Sequence, residues 1–407
     1  MRLLIADKLH ARAIEELRAL PLEVEYVPDI TAEQLEARLP GFGVLVVRST
    51  PVTAKAIEGA RELNLIVRAG AQVSTIDVRA ASRRGVYVAN CPGKNAAAVA
   101  ELAFGLMIAL DRRIVDATGS LRAGRWQRAE YGKAEGLLGK TIGIAGLGAI
   151  GREVALRARA FGLEPLAWGR APSATRAKEM GIPFVSSLDE LASRSQILTL
   201  HLALSDRTRG VVSERVLGKL PRHAMLINTA RADLVDQAAM LRAVHERALR
   251  VGLDVHDAEP KGKDAYEAKG FDVAASADGG FVYGTPHISA STDQAQLAVA
   301  TEAVRVIRSF LLEGNVPNVV NVVNASSARF LLVIRMLDKV GTFANVLNVI
   351  KRHGINVEEI ANTVFEGGGA ACAKLRVASR PSEACLHEIC AFGEVLHVDV
   401  VTLPNLA

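Results

Sequence analysis

The sequence predicts an α/β protein of more than one domain, and three observations point there. Short β-branched and aliphatic runs alternate with amphipathic stretches over most of the chain, the rhythm of parallel sheets covered by helices. One apolar run, 141–145, passes directly into the glycine-rich turn Gly146-Leu147-Gly148-Ala149-Ile150-Gly151 and then into a helical pattern. The last segment, 329–403, reads strand, helix, strand, strand, helix, strand, a ferredoxin-like βαββαβ plan. Length agrees, since 407 residues exceed what a single core organises.

Taken in order, the first series places strands at 3–6, 44–47, 65–67 and 86–88, with helices between them. Thr31 followed by Gln34 forms a capping box that starts a helix running to about Leu39. From Asn95 to Leu110 small and apolar residues dominate, as in a long helix buried between two layers, and this helix is a natural connector. The second series has strands at 141–145, 164–168, 197–200, 224–228 and 249–254, so the central domain is doubly wound. After Thr285-Pro286-His287 a helical pattern runs to Leu312 and is broken by Gly314 and Pro317. It reads as a return to the first domain, which is then discontinuous. Residues 324–329 are small and polar and suit a linker, and Gly367 to Gly369 make a hairpin. The expected division is 1–95 plus 288–324, 96–287, and 329–407.

No apolar run reaches a membrane span, because charge interrupts even 97–110 at Glu101; a soluble protein with no membrane partner is expected. The first ten residues read as a buried strand and not as the core of a secretion signal, which predicts a cytoplasmic location. Cys91, Cys372, Cys385 and Cys390 lack metal or disulfide spacing, so reduced thiols and no bound metal are expected. The formal charge of +5 comes from scattered Lys and Arg with few aromatics. Nucleic acid is not the expected partner; a small anionic substrate is.

Strand, GxGxxG and helix in that order make a Rossmann turn. Gly146 permits the bend, Gly148 lets the backbone approach a pyrophosphate, and Gly151 allows close packing, with the helix N-terminus at Ala149 and Ile150 holding the phosphate charge. NAD enzymes place a carboxylate at the end of the second strand. Here the chain reads Ala167-Trp168-Gly169-Arg170, and two readings of Arg170 stand, a partner for the 2′-phosphate of NADP or an ordinary solvated residue. NAD is the expected cofactor, with NADP as the alternative.

Three segments follow strand ends, where open α/β sheets bind ligands: Asn228-Thr229-Ala230-Arg231, the run from Gly252 through Asp254 to Glu259 and Pro260, and Thr285-Pro286-His287. Singly, His287, Glu259 and Arg231 read as structural or solvated residues; together they are specific. With the glycine turn they make the chain resemble the D-isomer-specific 2-hydroxyacid dehydrogenases, whose signatures are NxxRG, DVxxxEP and TPHxG. The resemblance spans about residues 2–321 and is of the 3-phosphoglycerate dehydrogenase type, because the tail resembles an ACT regulatory module. It implies a Rossmann-type nucleotide-binding domain, a discontinuous flavodoxin-like substrate domain, and the ACT domain.

By that resemblance Arg231 binds the substrate carboxylate, His287 is the acid–base, and Glu259 fixes the imidazole tautomer. Asp254 meets the nicotinamide carboxamide, and Thr229 and Ala230 line the cofactor. The segment Val47-Arg48-Ser49-Thr50 and the loop Asn90 to Asn95 resemble the family's substrate loops, implying Arg48, Ser49 and Lys94, with Arg68 as a further candidate, as ligands of the substrate. Gln296 matches a position in the phosphoglycerate-type helix. In the tail, Asp338 and Asn356 match effector-contacting positions, with assembly as the alternative role of the module; Met336 departs from the histidine common there.

The family loop GxGxDN appears as Gly70-Ala71-Gln72-Val73-Ser74-Thr75, Ala232 replaces the glycine of NxxRG, and Ser289 that of TPHxG. Residues 261–284 read as a long polar loop over the site. The expected function is oxidation of a D-2-hydroxyacid, 3-phospho-D-glycerate first, in L-serine biosynthesis, by a homodimer or homotetramer. An NADPH-dependent glyoxylate or hydroxypyruvate reductase and a non-catalytic dinucleotide sensor or corepressor are the alternatives.

Overall fold

Four-residue aliphatic runs, largely buried, build the centre of the first sheet of the computed structural model, which describes residues 1–257, 259, 279–323 and 328–404. Its strands are β1 (Arg2–Ile5), β2 (Glu23–Tyr26), β3 (Val44–Val47), β4 (Leu65–Arg68) and β5 (Tyr87–Asn90), all parallel, in the order β2-β1-β3-β4-β5. Strand β2 is absent from the sequence reading. Its Glu-Val-Glu-Tyr run lacks the aliphatic signal, and it forms at an edge, where charge is tolerated and Glu23 and Glu25 each pair with Arg2 at 3.3 Å. The helix Ala32–Arg38 starts with both bonds of the expected capping box between Thr31 and Gln34.

One face of this sheet is covered by Ala32–Arg38, Ala54–Gly59 and Val78–Arg83. The other face carries Ala11–Arg18 and, from far along the chain, Asp293–Glu313. The returning segment also bridges the β5 edge, through Ala89 with Val319 and a bond from Val88 N–H to Asn321 Oδ1 of 2.8 Å.

The second sheet contains β6 (Thr141–Ala145), β7 (Glu164–Trp168), β8 (Ile197–Leu200), β9 (Met225–Asn228), β10 (Arg250–Leu253) and β11 (Phe281–Gly284), parallel, in the order β11-β10-β9-β8-β6-β7. Chain order reverses at β6, the switch point where such sheets bind ligands. The helix Ala96–Arg112 packs on it with Ala149–Ala160, and a left-handed Arg113 ends that helix. Strand β11 corrects the expected loop over 261–284. Phe281, Val282 and Tyr283 are buried, an aromatic and β-branched run suited to a strand. The rest of that stretch up to Ala277, with Asp278, lies outside the described residues, as do Pro260 and linker residues 324–327.

The chain divides into two compact units, Met1–Asn321 and Val322–Ala407. The second is an antiparallel sheet of β12 (Phe330–Leu337), β13 (Val357–Val364), β14 (Ala370–Val377) and β15 (Val395–Thr402), in the order β13-β14-β12-β15. Helices Thr342–Arg352 and Glu383–Cys390 cover one face, giving the expected βαββαβ order. Asp338 and Asn356 do not meet in it. Phe330 and Val357 both pair with Val377, so β12 and β13 start at the same end. Asp338 follows the end of β12 and Asn356 precedes the start of β13, so the length of an eight-residue strand, roughly 25 Å, lies between them. Within one chain they cannot grip one small effector. No helix among the described residues is long and apolar enough to cross a membrane.

Candidate active site

The C-terminal ends of strands from both sheets of the first unit face one cleft of about 400 Å³. Lys8 follows β1, Arg48 follows β3, and Arg68 with Gly70 and Gln72 ends or follows β4; from the other side come Ile150, His201, Thr229, Ala230, Arg231 and His287. Gln296 lines it from the helix Asp293–Glu313. Lys8, His10, Arg48, Arg68 and Arg231 are in this lining, and no Asp or Glu is, among the described residues.

His287 stands in the left-handed region, with φ of 53°, and its Nδ1 lies 2.7 Å from Glu259 Oε2. Glu259 is itself steadied by the backbone N–H of His256, which donates to Oε1 at 3.0 Å. A carboxylate at Nδ1 keeps the proton there and leaves Nε2 free to accept one. Asp254 departs from expectation. Its carboxylate is fully buried and accepts from Thr285 Oγ1 at 2.6 Å, Ile288 N–H at 2.8 Å and Ser289 N–H at 2.9 Å. It holds the loop that carries His287 and does not line the cleft.

Asn228, buried at the end of β9, clamps the next loop: its Oδ1 accepts from Ala230 N–H at 3.0 Å and its Nδ2 donates to Arg231 O at 2.8 Å. Arg231 Nη2 then donates to Gln72 Oε1 at 2.7 Å across the cleft. Burial pulls the Arg231 pKa down, opposed by Glu259; Arg68 is lowered by burial and by Arg48 and Arg231. Burial keeps His201 neutral, its pKa pushed down to about 3. His201 Nδ1, Thr229 Oγ1 and Arg68 Nε are buried without a protein partner, costly for polar atoms, and all three residues line the cleft, as a polar ligand would require.

Two expected substrate residues are elsewhere. Lys94 pairs at 3.2 Å with Glu302, whose own side chain is buried and also held by Arg305 and Asn318. Ser49 donates from N–H and Oγ to Asp7, at 3.0 and 2.9 Å, and neither residue is in the lining. Arg48 keeps its place there while its backbone N–H donates to the same Asp7 at 2.7 Å. Sequence reading passed over Lys8, His10, His201 and Asp7. Each follows or ends a parallel strand, which is the signal that could have found them.

The glycine turn fits a dinucleotide. Gly146 has φ of 97°, and a Cβ on Gly151 would lie 2.1 Å from Gly146 O, whereas one on Gly148 would meet nothing within 4 Å. The helix Ala149–Ala160 lacks a side-chain cap, so its first N–H groups remain available to an anion. Arg170 is exposed after β7, and Arg176, which the sequence reading missed, donates from Nη1 to Leu147 O at 3.3 Å.

Residues 104–289 match the family model for the D-isomer specific 2-hydroxyacid dehydrogenase, NAD binding domain. The chain is 38% identical over 326 residues to D-3-phosphoglycerate dehydrogenase of Methanocaldococcus jannaschii, covering 80% of this chain but only 60% of that protein. It is 40% identical over 286 residues to hydroxypyruvate reductase of Thermotoga maritima, covering 69% of this chain and 90% of that one. Among solved structures, the TT0316 protein from Thermus thermophilus superposes with a TM-score of 0.69 at 32% identity, covering 79% of this chain and all of the other.

Proposed function

The chain belongs to the D-isomer specific 2-hydroxyacid dehydrogenases, and from that premise we propose that it interconverts 3-phospho-D-glycerate and 3-phosphooxypyruvate, the opening step of L-serine biosynthesis. The observation that carries the substrate is the charge of the cleft. Four cationic side chains, Lys8, Arg48, Arg68 and Arg231, line it without a carboxylate among the described residues, which matches a substrate with a carboxylate at one end and a phosphate at the other. Arg231 takes the carboxylate, and Arg48 with Arg68 the phosphate; Gln296 borders the same space.

The nicotinamide of the bound cofactor supplies the hydride acceptor. In the oxidising direction His287 Nε2 takes the hydroxyl proton as the C2–H electron pair departs and the carbonyl forms; the reverse step returns the proton from the same nitrogen. Glu259, bonded to Nδ1 at 2.7 Å, holds the ring in the orientation that this transfer needs. Gly146, Gly148, Ala149, Ile150 and Gly151 would hold the pyrophosphate of the bound cofactor, and Thr229 and Ala230 would contribute to its site.

The second reading, an NADPH-dependent glyoxylate or hydroxypyruvate reductase, is favoured by one feature: Arg170 and Arg176 stand near the glycine turn where NAD enzymes have a carboxylate. Turnover of 3-phosphohydroxypyruvate, hydroxypyruvate and glyoxylate, each with NADH and with NADPH, separates the readings. Preference for the phosphorylated acid supports the first, preference for either small acid the second, and silence with all three a dinucleotide sensor. The exposed apolar side chains Ile114, Val115, Leu121, Trp126 and Leu138 support a homodimer. The C-terminal unit is assigned as an ACT-type module.

A further inference from the structure

We propose that Gln72 is a substrate-binding residue of this cleft: its side-chain oxygen anchors Arg231 from the opposite wall, and its amide N–H groups donate to the carboxylate of the bound 2-oxoacid. This rests on reading the cleft as an oxoacid site.

Gln72 sits in the loop after β4 of the first sheet and Arg231 in the loop after β9 of the second, 159 residues apart in sequence. Both line the cavity. The 2.7 Å bond between them uses one of the five guanidinium donors, and another goes to Ala230 O. The remaining donors suffice for a two-pronged grip on a carboxylate. An amide oxygen steadies Arg231 without neutralising it. A carboxylate in its place would pair with the guanidinium and compete with the substrate, while an aliphatic side chain would leave the arginine without its cross-cleft support.

The amide has a second half. Its nitrogen lies beside the anchored oxygen on the same planar group, so fixing the oxygen against Arg231 also fixes the donor close to the guanidinium. No described residue accepts a hydrogen bond from it. An anion gripped by Arg231 is therefore within reach of a neutral donor from the facing wall, and one residue binds the substrate while tying the two walls together. The position lies in the loop where the sequence departs from the family's GxGxDN pattern, and the structure supplies a task for the departure.

The test uses the full chain loaded with NADH and, as probe, oxalate, a planar dianion that presents a 2-oxoacid carboxylate. Calorimetric Kd values are measured for wild type, Gln72→Leu and Gln72→Glu, with NADH affinity followed separately by fluorescence. The expected result is weakening of oxalate by roughly 10- to 100-fold in Gln72→Leu, the scale of a lost hydrogen bond to a charged group, and by more in Gln72→Glu, with NADH affinity unmoved. For the 2-oxoacid that is turned over, the loss should fall mainly on KM. Equal oxalate binding by wild type and Gln72→Leu overturns the role of Gln72, even if Gln72→Glu is impaired, because a new negative charge beside Arg231 repels the anion whatever the glutamine does. Failure of wild type to bind oxalate overturns the underlying oxoacid reading.

Discussion

His287 adopts a backbone conformation that costs a non-glycine residue on the order of 1 kcal/mol, and Asp254 is what holds it there. Three donors converge on that buried carboxylate, two of them the N–H groups of the residues just after His287. In Asp254→Asn one acceptor becomes an NH2 group that must face a backbone donor. The expected outcome is a fall in kcat of at least about 10-fold, with NADH affinity within a few-fold of wild type; an unchanged kcat would show that the loop needs no such clamp. His287→Ala should abolish turnover and leave cofactor binding nearly intact, checked by turnover and NADH fluorescence side by side. That Arg231 and His287 share one cleft, with Glu259 bonded to His287, was legible because each belongs to a compact motif after a strand. Lys94 was misread because Glu302, the residue that claims it, lies far along the chain, and no local pattern announces such a partner. The Gln72–Arg231 bond was hidden for the same reason.

At the scale of elements, the turn after β6 separates two jobs that glycine performs. Gly151 is required by packing, since a Cβ there collides with Gly146 O, whereas Gly148 has open space around its missing side chain. Gly151→Ala should therefore lower stability by on the order of 2 kcal/mol or more, read as a fall in thermal midpoint. Gly148→Ala should fold normally yet weaken NADH by about 10-fold or more, because the methyl group occupies the approach of the pyrophosphate. Equal effects on both quantities in both variants would remove this division of labour. Helix Asp293–Glu313 supplies a second test through Glu302, whose pKa is held down at about 2 by bonds from Arg305 first, then Asn318 and Lys94. A depressed carboxylate stabilises the fold above its unfolded pKa, and that share is lost as pH falls from about 4.5 towards 2. With Arg305 and Lys94 partly solvated, the share is about 1–2 kcal/mol. Glu302→Gln should lose it at neutral pH and flatten the acid limb of the stability curve in that window. Most strands were readable from aliphatic runs of four or five residues. Strand β2 escaped because two of its four residues are glutamates, and β11 because the polar segment before it hid a short aromatic run.

For the whole molecule, the question is which part of the chain catalysis needs. Every residue lining the cleft lies between Lys8 and Val299, and both sheets that carry them belong to the unit ending at Asn321. The second unit has a core of its own, from Leu332 to Ile389, built from its own strands and helices. Its βαββαβ order was plain in the sequence because each element is local, whereas the placement of Asp338 and Asn356 at opposite ends followed only from strand register. A chain ending at Val323 keeps the last contacts of the first unit, including the bonds of Asn321 to Val88 N–H and Val86 O. It should fold, bind NADH as the full chain does, and keep KM and kcat for its 2-oxoacid within about threefold, the size of a change that leaves transition-state contacts intact. Any response of turnover to added amino acids should vanish with the second unit. A truncated chain that folds but is inactive would instead show that catalysis depends on the second unit through assembly or through a change in the cleft; sedimentation of both forms with and without NADH decides between these, because only the first alters the number of chains in the particle.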